Sequence, residues 1–436
     1  MAGRLNLFQR MMLRWRELHP YNPVHVVLIP APLDRARLQA CIDRHLESLG
    51  LTGLVVDLKR WRFRYAGGPA NADLSVRAAG ADPISVLSAE IEREFNARFP
   101  DEIRTTPFRF VAVDAGGEFH LALAYDHFVA GGDSIALLLR DIAERYTGGV
   151  PAEAALQPLE MYPATYRSLL LRHPLWVLQG LTGLPRMVAS ARRSFRPRYG
   201  SAGDQYNAFK LFSLGPGPLD GLRGAGKAWG VTFNDLLMAS VLQALAPLAP
   251  ERARQPRRRE LAVASIVNIR DDFGPAARAA LSPFLASFRV SHPVPAGIGL
   301  RELVRAVHVE TARVKAKRAD LVSLLALGVS GMMWPFLSLR QRARFFIKYH
   351  PAWAGVTTLN VNALWGRRDA REAPFDYIRA VPTGPLCPMV FAVTTVRDVL
   401  HVGVSYRTAA FSPAAIDGVA KEFVRCVESL REEPCS

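Results

Sequence analysis

Cysteine is scarce in this chain, and the acidic residues are outnumbered by the basic ones. Its four cysteines (Cys41, Cys387, Cys426 and Cys435) stand far apart, with no Cys-x-x-Cys pair and no histidine cluster beside them. That spacing argues against a zinc framework or a disulfide-stapled scaffold, and reduced thiols in a cytoplasmic protein are expected. There is no Gly-x-Ser-x-Gly elbow; the nearest approach, Gly328 to Gly331, reads Gly-Val-Ser-Gly, so a serine hydrolase has little support. A phosphate-binding loop and a dinucleotide fingerprint are missing too, and no bound cofactor or metal is expected. The first thirty residues interrupt their apolar positions with Arg and Trp and do not read as a secretory signal.

What is present is a globular composition, half hydrophobic, over 436 residues. That length exceeds what one core usually organises, so two domains are expected, 1–200 and 201–436, in a monomer. The 55 basic against 39 acidic residues give a net charge of +16, which suits nucleic acid, anionic lipid or phosphorylated substrates. No motif predicts a groove with interleaved aromatics, so nucleic acid is not expected as a partner.

Strand and helix patterns alternate along both halves. The run Val24 to Ile29 reads as a strand, Leu33 to Leu49 as an amphipathic helix, 51–65 as further strand, and Pro83 to Arg98 as a second helix. Phe108 to Val113 and Phe119 to Tyr125 form a hairpin around Gly116-Gly117. Residues 147–200 read as a break and crossover. In the second half, Val231 to Leu245, Leu300 to Arg318 and Pro413 to Leu430 read as helices. Leu261 to Ile269 reads as a strand buried on both faces, followed by strands at Val356 to Leu364, Met389 to Val396 and Leu400 to Tyr406. This alternation predicts two α/β lobes.

One junction carries the chemistry. The strand ending in Tyr125 runs into Asp126-His127-Phe128-Val129-Ala130-Gly131-Gly132-Asp133-Ser134, and a helix follows with Asp133 or Ser134 as its expected N-cap. Leu121, Leu123, Tyr125 and His127 share one face by the two-residue period. A histidine at a strand end, beside two glycines and a helix N-terminus, suits a general base. The same residues also suit a core histidine bonded to a carbonyl, with glycines serving only the turn.

The stretch resembles the His-His-x-x-x-Asp-Gly-x-Ser motif of the condensation-domain superfamily. That group takes in peptide-synthetase condensation domains, wax ester synthases, chloramphenicol acetyltransferase-like enzymes and plant acyltransferases. On that pattern Asp126 stands at the first histidine, His127 at the second, Gly131 at the aspartate, Gly132 at the glycine and Ser134 at the serine. GVTFNDLLMASVLQAL, the strand ending Val267-Asn268-Ile269-Arg270, and LHVGVSYRTAAFSPAAID resemble the superfamily in the same order.

The resemblance implies an α/β fold of two chloramphenicol acetyltransferase-like lobes, a V-shaped pseudo-dimer with a central channel. It implies acyl transfer from a thioester, on coenzyme A or the phosphopantetheine of an acyl carrier protein, to an alcohol or amine, in lipid or natural-product biosynthesis. His127 is then the base, with Asp126, Gly131, Gly132, Asp133 and Ser134 supporting it. The pattern departs at Asp126 and at Gly131, where the relatives' aspartate bonds an arginine and holds the loop; Asp133 is the nearest carboxylate. A module that has lost catalysis and binds carrier proteins or lipids is the alternative.

Tyr125 and, on one face of the expected strand, Thr358, Asn360 and Asn362 are candidate channel-lining residues; an edge strand facing water would show the same alternation. Two further segments combine apolar and basic residues. Leu321 to Leu339 carries no charge and is flanked by Arg and Lys. By length it could span a bilayer, but its glycines and Pro335 favour a helical hairpin on the membrane surface or over the acyl channel. Tyr166 to Tyr199 has seven arginines and no acid, and the pair suggests a peripheral contact with an anionic membrane. Solvated linkers with buried apolar sides would look alike.

Overall fold

A computed structural model describes residues 2–100, 106–149, 166–201, 203–274, 277, 280–366 and 375–431. Most of the expected crossover's first part, and Cys435, lie outside these described residues. The chain opens with β1 (Ala2–Arg4), α1 (Leu7–Trp15), β2 (Val24–Ile29) and α2 (Arg35–Ser48). Then come β3 (Leu54–Asp57), β4 (Arg62–Tyr65), β5 (Asp73–Ala78), α3 (Pro83–Asn96), β6 (Phe108–Asp114), β7 (Phe119–Tyr125) and α4 (Gly132–Thr147). Three helices follow, α5 (Tyr166–Arg172), α6 (Pro174–Leu181) and α7 (Leu184–Arg193).

The second half begins with β8 (Asn207–Leu214), α8 (Pro216–Trp229), α9 (Phe233–Leu245), β9 (Leu261–Asn268) and β10 (Leu285–His292). Next are α10 (Leu300–Ala316), α11 (Val322–Met333), α12 (Leu339–Tyr349), β11 (Ala354–Asn360) and α13 (Val361–Leu364). The chain closes with β12 (Asp376–Ala380), β13 (Met389–Val396), β14 (Val399–Arg407) and α14 (Pro413–Ser429).

Local chemistry sets many of these boundaries. Asp34 accepts from the Arg37 amide to start α2, and Thr232 and Asp235 form a reciprocal capping box on α9. Pro413 follows the capping Ser412 at the first turn of α14, where its missing N–H costs nothing.

Two mixed sheets organise the molecule. A five-stranded sheet runs β12-β2-β7-β6-β5, and a six-stranded sheet runs β10-β9-β11-β13-β14-β8; β1, β4 and β3 form a small third sheet. Every strand of the six-stranded sheet lies after residue 200, whereas β12, also from the second half, pairs antiparallel with β2 and completes the first sheet. The core under the first sheet mixes residues of both halves in the same way, with Phe110 and Leu138 packed in one cluster with Leu324, Trp334 and Phe346.

Within the six-stranded sheet, β11 lies parallel to both neighbours but unequally. It pairs with β13 from Gly355 to Asn360, and with β9 only at Ala354, Gly355 and Val356. Past Val356 the two strands part. β9 is accordingly buried on both faces only in its first half; Ile266 and Val267 are half-buried and Asn268 is exposed.

Two expected elements need correction. The strand from Val356 does not reach Leu364: it ends at Asn360, whose side chain accepts from the Ala363 amide and turns the backbone into α13. Leu321 to Leu339 does not fold back as a hairpin. It is one helical run, a 3-10 turn (Ala319–Leu321), α11 and a second 3-10 turn (Trp334–Phe336), with α12 starting beyond Ser338.

Candidate active site

The site grows from the end of β7. That strand lies between β2 and β6 and is buried along its whole length. Beyond Tyr125 the Asp126 amide donates to the Pro107 carbonyl and the His127 amide to the Tyr21 carbonyl, both at 3.1 Å. The Val129 amide then donates back to the Asp126 carbonyl, closing a turn that delivers the chain to α4.

His127 is 7 % exposed, its ring packed near those of Tyr21 and Tyr125, with centroids 5.1 and 5.9 Å away. Nδ1 lies 3.3 Å from the Ala130 carbonyl, a long hydrogen bond that places the ring proton on Nδ1. Burial lowers the pKa to about 4, which outweighs the carbonyl's opposing effect, and the nearby Arg379 charge lowers it further. The imidazole is therefore neutral at pH 7. Its Nε2 makes no hydrogen bond among the described residues and keeps its lone pair.

Asp126 sits beside it without touching the ring's chemistry. Arg16 donates to its Oδ2 at 2.6 Å, while Oδ1 is buried with no hydrogen bond among the described residues. Burial raises this carboxyl to about 6 despite Arg16. The expected N-cap of α4 is displaced by two or three residues: Gly131 occupies it, with no side-chain cap bond. The reason is that both candidates are engaged elsewhere. Asp133 accepts from Asn268 and pairs with Arg270, and Ser134 donates to the Ala280 carbonyl. Among the described residues, the first N–H groups of α4 thus have neither an intrahelical nor a side-chain partner.

Arg270, at the start of the 3-10 turn after β9, locks this loop. It is buried, donates to the carbonyls of Ala277, Ala280 and Ser282 and to Ser134 Oγ at 2.6–2.8 Å, and its Nε lies 3.5 Å from Asp133. A Cβ on Gly131 would stand 2.9 Å from its Nη2 and 3.1 Å from the Ser282 carbonyl. The guanidinium fills the space a side chain at Gly131 would need, and the arginine's carboxylate partner is Asp133. Gly132 also packs closely, since its Cβ would lie 3.3 Å from His25 Cε1.

His25, on β2, is a site residue that the sequence reading missed. It is buried, with Nδ1 2.7 Å from the Tyr377 hydroxyl and Nε2 3.4 Å from that of Tyr125. Burial holds its pKa well below the usual imidazole value, with Arg379 and His127 adding to the effect. Arg379, also buried, donates to the Thr357 and Val393 carbonyls and ties β12 to the other sheet. The only signal for Arg270 was its place after Val267-Asn268-Ile269; for His25, Tyr377 and Arg379 no sequence pattern pointed to the site.

The proposed lining residues divide. Thr358 and Asn360 are exposed on the stretch of β11 that has parted from β9. Asn362 is not on that face: it is buried in α13, exchanging hydrogen bonds at 2.8 Å with the backbone of Arg397 in the β13–β14 turn. Tyr125 is 1 % exposed and faces His25 in the packed interior. A cavity of about 500 Å³ lies between β8 and α14, and a small one of about 10 Å³ beside Trp15, Tyr21 and Gly384; His127 lines neither.

No protein-family profile matches the chain, and no curated protein matches it in sequence. Solved structures do. The first condensation domain of the calcium-dependent antibiotic synthetase, in complex with a substrate analogue, is similar at a TM-score of 0.71 and 16% identity, covering 100% of this chain and 98% of that one. The condensation domain of the Monacolin K polyketide synthase is similar at 0.70 and 12% identity, with the same coverage. The X-domain from teicoplanin biosynthesis, in complex with OxyB, is similar at 0.61 and 18% identity, covering 99% and 93%. The chain therefore has the condensation-domain fold, a mixed α/β architecture of two chloramphenicol acetyltransferase-like lobes.

Proposed function

We propose that the protein is an acyltransferase in which His127 Nε2 is the general base. The observation that carries this is the histidine's setting: Nδ1 fixed on the Ala130 carbonyl, the ring neutral, and Nε2 unengaged at the mouth of an uncapped helix. The donor is an acyl thioester on coenzyme A or a carrier protein, and the acceptor an alcohol or amine. Nε2 takes the acceptor's proton as its oxygen or nitrogen bonds to the thioester carbon. The carbon–sulfur bond then breaks, and the proton passes from Nε2 to the departing thiolate, so no acyl-enzyme forms. Free N–H groups at the start of α4 support the developing oxyanion. Arg270 and Asp133 act as positioning residues that hold the loop where the relatives' motif aspartate would.

The test is turnover. Acyl-coenzyme A and acyl-carrier-protein donors are offered with alcohol and amine acceptors, and products are read by mass spectrometry. His127→Ala is expected to lower turnover of any productive pair by about 10²–10⁴. Unchanged turnover would remove His127 from the mechanism.

A second reading follows from the burial of His127 and from the likeness to an X-domain crystallised with another protein. On it, the chain is a non-catalytic module that binds a carrier protein. Stoichiometric carrier-protein binding, unaffected by His127→Ala and without turnover of any pair, would favour it.

A further inference from the structure

The two apolar, basic segments are more than 120 residues apart in sequence but adjacent in space. A Cβ on Gly180 of α6 would lie 2.9 Å from Val322 and 3.2 Å from the Arg318 carbonyl at the start of the α11 run. The Arg318 guanidinium covers the Trp176 ring at 4.4 Å, and Arg186 of α7 pairs with Glu310 of α10 at 2.6 Å. A Cβ on Gly183, at the start of α7, would also lie 3.7 Å from Ala319, so α6 and α7 pack beside α10 and the start of the α11 run.

Their outward sides are apolar at helical spacing. Leu171, Leu175 and Leu178 recur at intervals of four and three along α5 and α6, exposed by 69, 69 and 62 %. On α7, Leu184, Met187 and Val188 repeat the pattern, and no residue of that helix is buried. On the α11 run, Val329, Met332, Met333 and Phe336 stand at i, i+3, i+4 and i+7, with Phe336 87 % exposed. Three successive amphipathic stripes facing water are unlike scattered surface leucines and mark an interaction face.

Charge identifies the occupant. Residues 166–199 hold seven arginines and residues 321–349 hold three arginines and a lysine; neither segment has an acidic residue. Arg192, Arg340 and Arg344 are exposed and make no ion pair among the described residues. A second copy docking by a two-fold axis would set this cationic face against itself. A bilayer with anionic headgroups complements both components, taking the apolar side chains below the phosphates and the arginines among them.

The α11 run does not cross that bilayer. Ala319–Phe336 is long and apolar enough, but 44 % of it is buried in the protein, with Gly331 against Arg14 and Met11 of α1. We infer that α5–α7 and the α11–α12 segment form one docking face that lies flat on an anionic membrane surface. This inference is independent of the chemistry at His127.

Co-sedimentation of the full chain with phosphatidylcholine vesicles, with and without 30% phosphatidylglycerol (roughly the anionic density at which surface potential matters), tests it. Binding is expected to be about tenfold or more stronger to the anionic vesicles and to fall with salt. Arg340→Glu/Arg344→Glu and, separately, Leu175→Ser/Leu178→Ser/Met332→Ser/Phe336→Ser should each reduce it at least about tenfold. All these positions are exposed, and circular dichroism is the check that the variants keep their fold. Equal binding to neutral vesicles, undiminished binding by either variant, or a dimer abolished by the serine variant in a protein that ignores vesicles would each overturn the proposal.

Discussion

At residue scale the decisive position is Gly131, because the space around it is already taken. Arg270 Nη2 and the Ser282 carbonyl crowd its missing Cβ, so a side chain there must displace a guanidinium that makes four hydrogen bonds. Introducing the aspartate of the motif that the sequence resembles, by Gly131→Asp, brings a carboxylate against a carbonyl oxygen as well as toward Arg270. Overpacking of this kind costs about 1–3 kcal/mol, and the substitution is expected to lower the urea midpoint by a corresponding amount. An unchanged or raised midpoint would show that the loop can accept the aspartate. The histidine's tautomer is the other residue-scale quantity: with Nδ1 held by Ala130, only Nε2 can work on a substrate proton.

At the scale of elements, the loop that carries His127 depends on a residue outside β7 and α4. Arg270 follows β9, yet its donors reach Ser134 and Asp133 at the head of α4 and three carbonyls of 277–282. Arg270→Met keeps most of the volume and removes every donor. Losing four hydrogen bonds and the ion pair to Asp133, with the Ser282 carbonyl left without its donor, is expected to cost about 3 kcal/mol or more, read from equilibrium unfolding. Asp133→Asn, which keeps an acceptor and is partly exposed, should cost clearly less. Equal losses in both variants would mean that the ion pair and not the hydrogen bonds holds the loop.

This network also explains what the sequence could and could not reveal. Apolar runs and capping residues placed α2, α3, α9, α14 and the β6–β7 hairpin within a residue or two, because their signals are local. The N-cap of α4 was misread because Asp133 and Ser134 serve partners more than a hundred residues away. β12 was missed because a buried arginine, Arg379, interrupts its apolar pattern, and the burial is made tolerable only by the Thr357 and Val393 carbonyls of the other sheet. Asn362 was read as strand because nothing in the alternation shows that Asn360 would cap a helical turn. The place of His127 at the end of β7 was legible from its own neighbourhood; the residues packed around it were not.

For the whole molecule, histidines set the response to acid. Seven of the ten have pKa values held below the ordinary imidazole value by burial, and for His45, His127 and His350 the value falls to about 4. Each is neutral when folded and binds a proton near pH 6.5 once unfolded. The unfolded chain therefore takes up more protons between pH 6.5 and 4, so stability is complete above that window and declines as pH falls through it. Asp126, raised to about 6, works in the opposite direction over part of the range, since its folded form prefers the proton, and Asp320 is raised as well. Two carboxyls against seven imidazoles leave the balance with the histidines, each contributing up to about 1.4 kcal/mol per pH unit within its window. The melting temperature is accordingly expected to fall continuously from pH 7 to pH 4.5, well before the paired carboxylates Asp235 and Asp376, whose pKa values are lowered, begin to protonate. Thermal melts by circular dichroism at half-unit steps would show this, and a flat profile down to pH 5 would mean that the buried imidazoles are hydrated or partnered in the folded chain. His45→Gln, which removes one such site away from the His127 loop, should flatten the decline by the share of a single histidine.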